Sequence, residues 1–352
     1  VGSGPYTLAN GLIFDLSMPI KLLPAMVLDI SGNGQLGPFS VPRRAVPGMH
    51  LWFQAVHVDP LANPSTTTTN MVPMVVGAAS GSLVSWGDDW SGQVADTPVG
   101  NDFTQVSAGD MHSVALRLDG SLVSWGRDYE LQVTDTPVGI DFIEVVAGGY
   151  HCLALKSNGT LVAWGSDSRQ QVSDTPVGND FAQVSAGGKY SVALKFDGTL
   201  VPWGDDWSNQ VVDTPVGNDF TQVSAGSWHA AALKSDGTLV SWGGDSDGSV
   251  VDTPVGNDFT QVSAGGAHSV ALRSDGSLVS WGRNDRHQVT DTPVGTDFIQ
   301  VSAGGAFSAA LRSDGSLVSW GNDLSSQVTD TPVGTGFTDV STGAYHSVAI
   351  KQ

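Results

Sequence analysis

The chain has 352 residues and a net charge of −20, which disfavours binding to the phosphate backbone of nucleic acids. Only 14% of the residues are charged, whereas 44 are glycine and 17 are proline, a composition typical of short strands joined by tight turns. The single cysteine, Cys152, excludes an internal disulfide, and no apolar run approaches the roughly 20 residues of a membrane-spanning helix.

Residues 1–76 are the first predicted region and contain no repeat. The stretches YTLANGLIFDL, AMVLDIS, LWFQAVHV and NMVPMVV are typical of strands, and Gly, Pro and Asn separate them. The pattern GPYTLANG…LWFQAVHVDPLANP resembles a small β-sandwich module found as an accessory domain in secreted bacterial proteins. We therefore expect a small β-sandwich-like accessory domain that protects its strand edges by packing on the rest of the chain or on another subunit.

From residue 80 onward the sequence repeats every 39 residues. Each unit is predicted to contain four short strands, which in the second unit are FTQVSAG, HSVALRLDG, SLVSWG and LQVTDTPVG. This period is typical of a propeller blade, so residues 77–352 are predicted to form an all-β, seven-bladed β-propeller. The period is carried by two aromatic columns, namely Trp86, Trp125, Trp164, Trp203, Trp242, Trp281 and Trp320, and Phe103, Phe142, Phe181, Phe220, Phe259, Phe298 and Phe337.

The two ends of the repeated region complement each other. The 273 residues from 80 to 352 equal seven periods, but the first unit lacks its leading half. The chain ends with that half, FTDVSTGAYHSVAIKQ. We therefore expect the C-terminal strands to complete the blade begun by residues 80–93, which closes the ring and removes its free edges.

The pattern VSAGxxHSVALxxDGxLVSWG resembles the repeat of the regulator of chromosome condensation family, which forms seven-bladed propellers. The resemblance covers residues 80–352 and implies the fold more than an activity. Chromatin-bound members exchange nucleotide on a small GTPase through an inserted hairpin, for which the uniform spacing leaves no room. Plant ultraviolet receptors of this fold use a Gly-Trp-Arg-His pattern, and the nearest stretch here, GSWHA at 226–230, lacks the arginine. In style the repeats are most similar to secreted bacterial inhibitors of β-lactamases, which grip the enzyme through aromatic residues on one loop face.

Residues that recur in every unit are predicted to be structural. The Trp and Phe columns are assigned to the core. A histidine column is assigned to structural hydrogen bonding, because Tyr190 and Phe307 replace histidine in two units. His112 and Ser113 are adjacent on a strand and cannot form a base–nucleophile pair, and Cys152 on a core strand is expected to be inert. We therefore expect no enzymatic activity, no metal site and no cofactor. The histidines are His112, His151, His229, His268 and His346.

The residues that differ between units are the candidates for recognition. The turn after VSAG and the loop after VSWG are two strands apart, so both are expected on one face of the ring, opposite the Asp-Gly turns and Thr-Pro connections. The turn column runs Met111, Tyr150, Lys189, Trp228, Ala267, Ala306 and Tyr345, and the loop column runs Trp90, Tyr129, Ser168, Trp207, Ser246, Asp285 and Leu324.

The aromatic members of these columns are predicted to form a crescent beside a smaller basic sector of Arg283, Arg286 and His287. Surface aromatic side chains are enriched at binding hot spots. The predicted partner-binding residues, which we name the aromatic crescent, are Trp90, Tyr129, Tyr150, Trp207, Trp228 and Tyr345, with Lys189 and Met111 between them.

Two functions from different classes agree with these patterns. The first is a non-enzymatic bacterial protein, extracellular or at the cell surface, that binds a protein partner through the aromatic crescent; inhibition of a secreted enzyme is one form of it. The second is a structural subunit, in which residues 1–76 of one copy dock on the propeller of the next and build a homo-oligomeric fibre or surface layer. A glycan ligand for the crescent remains an open alternative to a protein.

Overall fold

The computed structural model describes residues 80–245 and 247–352 and, before them, six short strands by their backbone. Residues 1–78 and 79–352 are two compact units. In the first unit the strands pair antiparallel as β1–β2, β3–β4 and β5–β6. The side chains on which the accessory-domain prediction depends lie outside the described residues. These six strands are β1 Tyr6–Thr7, β2 Ile13–Phe14, β3 Ile30–Ser31, β4 Gln35–Leu36, β5 Leu51–Val56 and β6 Thr69–Met74.

Each 39-residue unit forms one blade, a three-stranded antiparallel sheet whose central strand pairs with both neighbours. The predicted seven-bladed all-β propeller is confirmed. After β7 Ser82–Gly87, the blades comprise β8 Phe103–Ala108, β9 His112–Arg117 and β10 Leu122–Gly126 (blade 1); β11 Phe142–Ala147, β12 His151–Lys156 and β13 Leu161–Gly165 (blade 2); β14 Phe181–Ala186, β15 Tyr190–Lys195 and β16 Leu200–Gly204 (blade 3); β17 Phe220–Ala225, β18 His229–Lys234 and β19 Leu239–Gly243 (blade 4); β20 Phe259–Ala264, β21 His268–Arg273 and β22 Leu278–Gly282 (blade 5); β23 Phe298–Ala303, β24 Phe307–Arg312 and β25 Leu317–Gly321 (blade 6).

Blade 7 joins the two ends of the propeller sequence. It combines β26 Phe337–Thr342 and β27 His346–Lys351 with β7, in the order β26–β27–β7. Ser347 of β27 lies opposite Trp86 of β7, the register that Ser113 and Trp125 have in blade 1. The predicted closure is therefore confirmed.

The predicted fourth strand of each unit is wrong. In blade 1 the segment LQVTDTPVG begins with turns, because Asp128 Oδ1 accepts hydrogen bonds from the N–H groups of Val133 and Thr134 at 2.8 and 2.9 Å. Leu131 has a left-handed φ of 63°, which a strand does not accommodate. An Asp or Asn makes the same two bonds in the other six units, so a side chain takes the place of a neighbouring strand.

The hydrophobic core lies between neighbouring blades. Phe142, Cys152 and Trp164 of blade 2 pack with Val114 of blade 1 in one buried cluster, and equivalent clusters recur around the ring. All seven residues of the Trp column and all seven of the Phe column are buried, with 5% exposure or less, which confirms their assignment to the core. Each of these indoles also donates to a backbone carbonyl of the preceding loop, as Trp164 Nε1 does to Gln132 at 2.9 Å.

The first strands of neighbouring blades contact one another around the ring, and side chains cap their free edges. The N–H groups of Val145 and Ala147 in β11 donate to Gln105 Oε1 and Ser107 Oγ of β8, at 3.0 and 2.9 Å. Where the ring closes, the N–H of Val106 donates to Asp339 Oδ2 of β26 at 3.2 Å. These bonds satisfy strand edges that would otherwise be open to pairing.

Candidate binding face

The histidine column forms a buried ring of hydrogen bonds. His151 Nε2 lies 2.7 Å from Ser191 Oγ of the next blade, and His346 Nε2 lies 2.6 Å from Ser113 Oγ across the closure. The pairs His229–Ser269 and His268–Ser308 repeat this contact at 2.7 and 2.8 Å, and His112 contacts Cys152 Sγ at 3.1 Å. The predicted structural role of the column is confirmed. Burial lowers the pKa of these histidines to about 3 or 4, so each ring is neutral at physiological pH.

Two blades depart from this ring. Tyr190 replaces the histidine in blade 3, and its hydroxyl donates instead to the backbone carbonyl of His229 at 2.6 Å. Phe307 replaces it in blade 6, which leaves the buried Ser347 Oγ without a partner. Cys152 takes a serine position, where burial raises the pKa of the thiol. The serine–histidine pairs are completely buried, so they cannot reach a substrate as they stand.

The two variable columns lie side by side at one end of each blade. The N–H of Arg127, at the start of the loop after β10, donates to the carbonyl of Met111 in the β8–β9 turn at 2.9 Å. The corresponding bond occurs in all seven blades, for example from Asp205 to Lys189 and from Gly244 to Trp228. The loop and the turn are thereby held together, and we name the surface they form the loop face.

Most of the aromatic crescent is open to solvent. The exposed fractions are 88% for Trp90, 83% for Tyr129 and 81% for Trp207. Trp228 and Tyr345 are 50% and 44% exposed. The remaining three, Met111, Tyr150 and Lys189, are half-buried. All eight are on the loop face, and their part in binding a partner stays a prediction.

Aromatic residues of neighbouring blades meet across the blade boundaries. The guanidinium of Arg127 lies 4.8 Å from the ring centre of Tyr129 in its own loop and 5.6 Å from that of Tyr150 in blade 2. Between blades 3 and 4, Trp207 and Trp228 line an open groove of about 530 Å³ together with Asp245. The complete lining of this Trp207–Trp228 groove is Trp207, Ser208, Asn209, Trp228, Gly244 and Asp245.

Several charged groups on the loop face lie close to one another. Burial raises the pKa of Asp110, beside Tyr150, to about 6, while the Arg127 guanidinium acts in the opposite direction. The charge of Asp110 in turn raises the pKa of the Tyr150 hydroxyl. Arg283, predicted to belong to a basic sector, forms a two-point ion pair with Asp285 at 2.8 and 2.6 Å. That sector is therefore less basic than its sequence indicates.

The repeats match a known family. A family model of the regulator of chromosome condensation (RCC1) repeat matches residues 103–132, 142–171, 220–249, 259–288 and 298–327. The chain forms an RCC1-like seven-bladed propeller. The two unmatched units are the one with Tyr190 and Pro202 and the one divided between β7 and the C-terminal strands.

Solved structures share this RCC1-like fold. Prp20p from Saccharomyces cerevisiae, described with its binding to Gsp1p and histones, superposes with a TM-score of 0.64 at 20% identity, over 78% of this chain and 92% of that one. Human WBSCR16 gives 0.64 at 16% identity, over 77% and 99%. The ectodomain of the Physcomitrella patens receptor kinase CR4 gives 0.61 at 20% identity, over 71% and 70%. Such identities show the fold alone. Curated protein sequences contain no significant match.

The RCC1-like propeller also exposes a column of valines, which sequence reasoning did not predict to be a surface for recognition. The valine of each Asp-Thr-Pro-Val-Gly stretch is at least 91% exposed. Val138, for example, lies beside the strand β10 and its preceding turn. The sequence signal was available, since a valine between Pro and Gly has no strand to pair with, but repetition classed it as framework. The seven residues are Val99, Val138, Val177, Val216, Val255, Val294 and Val333.

Within residues 80–245 and 247–352, no group of three or more His, Cys, Asp or Glu side chains is arranged to hold a metal ion. Asp245, which opens an Asp-Ser-Asp-Gly stretch, instead accepts the N–H groups of Val250 and Val251 at 2.8 and 3.1 Å. In the same part of the chain, no helix has the length and apolar character needed to cross a membrane.

Proposed function

We propose that this RCC1-like propeller is a non-enzymatic scaffold that binds a protein partner through the aromatic crescent of its loop face. The observation that carries the proposal is the exposure of Trp90, Tyr129 and Trp207, each above 80%, at positions that differ from blade to blade. Large aromatic side chains left in water are typical of binding hot spots rather than of inert surface. A rigid ring beneath them lowers the entropy lost on binding.

Structures of the same fold support a protein-binding role. Prp20p was described with its binding to Gsp1p and histones, and a second structure shows yeast RCC1 (Prp20) bound to Kap60. RCC1-like propellers are thus a class of protein-binding scaffolds. In our proposal the net charge of −20 disfavours acidic partners and nucleic acid, and it favours a partner with a neutral or basic surface.

The proposal places the protein outside a bacterial cell or on its surface. It rests on two resemblances, that of residues 1–76 to an accessory module of secreted proteins and that of the repeats to secreted β-lactamase inhibitors. Inhibition of a secreted enzyme is then the most specific form of the function. The crescent would cover the entrance of the enzyme's active site rather than perform chemistry of its own.

The test uses the full chain and two matched sets of substitutions. Tyr129→Ala, Trp207→Ala and Trp228→Ala together remove the centre of the crescent. Val138→Ala, Val216→Ala and Val255→Ala remove apolar groups that are even more exposed and lie outside the loop face. The proteins that bind to the wild-type chain are identified, and the amount bound by each variant is measured. The purified partner is then titrated against the wild type and both variants by calorimetry. We expect binding at least about 30-fold weaker for the aromatic variant and unchanged for the valine variant. Equal binding by the aromatic variant and the wild type would overturn the proposal.

The seven exposed valines favour a second candidate, the structural subunit. Their regular repetition offers seven equivalent apolar contacts, which suits assembly of many copies better than recognition of one partner. Light scattering and negative-stain microscopy of the full chain separate the two functions. A mass near 36.5 kDa at all concentrations supports the binding scaffold. Filaments that disappear when the valines are replaced by serine support the structural subunit.

A further inference from the structure

The Trp207–Trp228 groove has an internal counterpart between blades 1 and 2. Trp207 and Trp228 lie two repeats after Tyr129 and Tyr150, so the two pairs occupy equivalent loop and turn positions. In each pair, the two aromatic residues lie on opposite sides of a blade boundary. The equivalence makes one pair a template for the other.

The Tyr129–Tyr150 pair already holds a cation. Arg127, from the same loop as Tyr129, lies within 5.6 Å of both ring centres. Lys189 approaches the ring of Tyr150 at 6.0 Å as well. At these distances the ring faces attract a positive charge. This site is therefore filled by the chain itself.

The Trp207–Trp228 pair carries an acidic residue at the position of that arginine. Asp205 lies two repeats after Arg127, and its carboxylate is 3.6 Å from Arg169 on the neighbouring loop. Asp245 adds a second carboxylate at the groove wall. Within the described residues no lysine or arginine lies over either indole. The groove thus has the aromatic walls of its counterpart but lacks its internal arginine, and the Asp245 carboxylate lies at its wall.

We propose that the Trp207–Trp228 groove binds a basic side chain of the partner. We expect this side chain to be an arginine, because Arg127 occupies the equivalent site between blades 1 and 2. The partner's guanidinium stacks on the two indoles, which attract cations more strongly than phenol rings do, and pairs with the carboxylate of Asp245. The net charge of −20 favours the approach of such a partner. This inference rests on the proposed function, since it names the chemistry that the aromatic crescent recognises.

The first test titrates the full chain with N-acetyl-arginine amide and, as a neutral control of the same shape, N-acetyl-citrulline amide. Proton–nitrogen NMR signals of the indole N–H groups report the position. We expect the Trp207 and Trp228 signals to shift with a dissociation constant about fivefold lower for the arginine probe. We expect Asp245→Asn to abolish most of that difference. Equal binding of the two probes, or an equal response of Trp90, would overturn the proposal.

A second variant fills the groove from within. Asp205→Arg introduces the residue that blade 1 has at the equivalent position, Arg127. The new guanidinium should occupy the groove and reduce the response to the arginine probe at least fivefold. Asp88→Arg is the matched control, because residues 88–91 and 205–208 have the same sequence, Asp-Asp-Trp-Ser. Unchanged signals of the seven buried indoles show that each variant is folded. A full response in the Asp205→Arg variant contradicts the inference.

The same variants separate this inference from the proposed function. Loss of the protein partner in Trp207→Ala, together with equal binding of the two probes, would leave the binding function intact and refute the basic occupant. Arginine-selective binding, together with normal partner binding by the aromatic variant, would refute the proposed function. The preference of the groove for an arginine side chain would still hold.

Discussion

The buried ring and the loop face arise from the same seven repeats, yet they vary in different ways. In the ring, Tyr190 comes with Ala230 in place of serine, and its hydroxyl finds the carbonyl of His229 instead. On the loop face, Trp207 and Ser168 occupy equivalent positions in neighbouring blades, and both side chains are exposed. A buried polar atom that loses its partner destabilises the fold, whereas an exposed side chain hydrogen-bonds to water. Variation is therefore restricted in the ring and free on the loop face, where it can specify a partner.

Acid is expected to break the ring with the largest effect. The five ring histidines have pKa values of about 3 or 4 in the fold and about 6.5 when unfolded. Because the unfolded chain binds these protons more tightly, stability that is complete above pH 6.5 is lost as the pH falls towards 4. Each histidine contributes up to about 1.4 kcal/mol per pH unit, and the five together about 7.

Buried carboxyls act in the opposite direction over the same range. Burial raises the pKa of Glu144 to about 8 and that of Asp110 to about 6, so their protonation favours the fold as the pH falls. Burial also raises the pKa of Asp339, but the five histidines outnumber these three carboxyls, so we expect a net loss of stability as the pH falls below 6.5. Urea unfolding at pH 7, 6 and 5, followed by tryptophan fluorescence, measures it. His268→Gln should reduce the slope by about 1.4 kcal/mol per unit, and a pH-independent midpoint would contradict the prediction.

Much of the ring was predictable because the aromatic residues that recur in every repeat are the ones buried in the core. The Trp and Phe columns recur at every interval, and the missing half of the first unit required the C-terminal strands to close blade 7. The fourth strand was wrong for a local reason. Val133 has the side chain of a strand residue, but Asp128 accepts its N–H and thereby stabilises a turn. The sequence of a single repeat does not reveal whether strand pairing or the hydrogen bond to the Asp128 side chain is the stronger interaction for Val133.

The loop face was predictable in its members but not in its pairs. Alternation of turns was enough to bring Met111 and Tyr129 to one face. The contact of Arg127 with both Tyr129 and Tyr150 depends on the distance between the loops of two blades. The sequence of a single repeat does not contain that distance. The neutralisation of Arg283 by Asp285 likewise depends on side-chain geometry.

A single mismatch in the ring should have an intermediate effect. His268→Phe reproduces in blade 5 the arrangement of Phe307, and it leaves Ser308 Oγ buried without its partner at 2.8 Å. We expect a loss of about 1–3 kcal/mol in the free energy of unfolding, measured by urea denaturation. Adding Ser308→Ala should recover most of it, because both polar groups are then gone. A double variant no more stable than the single one would show that the hydrogen bond is not what the histidine contributes.

The smallest expected effect is at Trp207. It is 81% exposed, so Trp207→Ala should change the free energy of unfolding by less than about 0.5 kcal/mol. Trp203, four residues earlier, is the matched control. It is 5% exposed and its Nε1 donates to the carbonyl of Gln171 at 3.0 Å, so its replacement by alanine should cost about 3–5 kcal/mol. Urea denaturation of both variants measures the contrast. A loss above about 1 kcal/mol for Trp207→Ala would mean that its indole stabilises the propeller, and the crescent would then lose the residue most free to meet a partner.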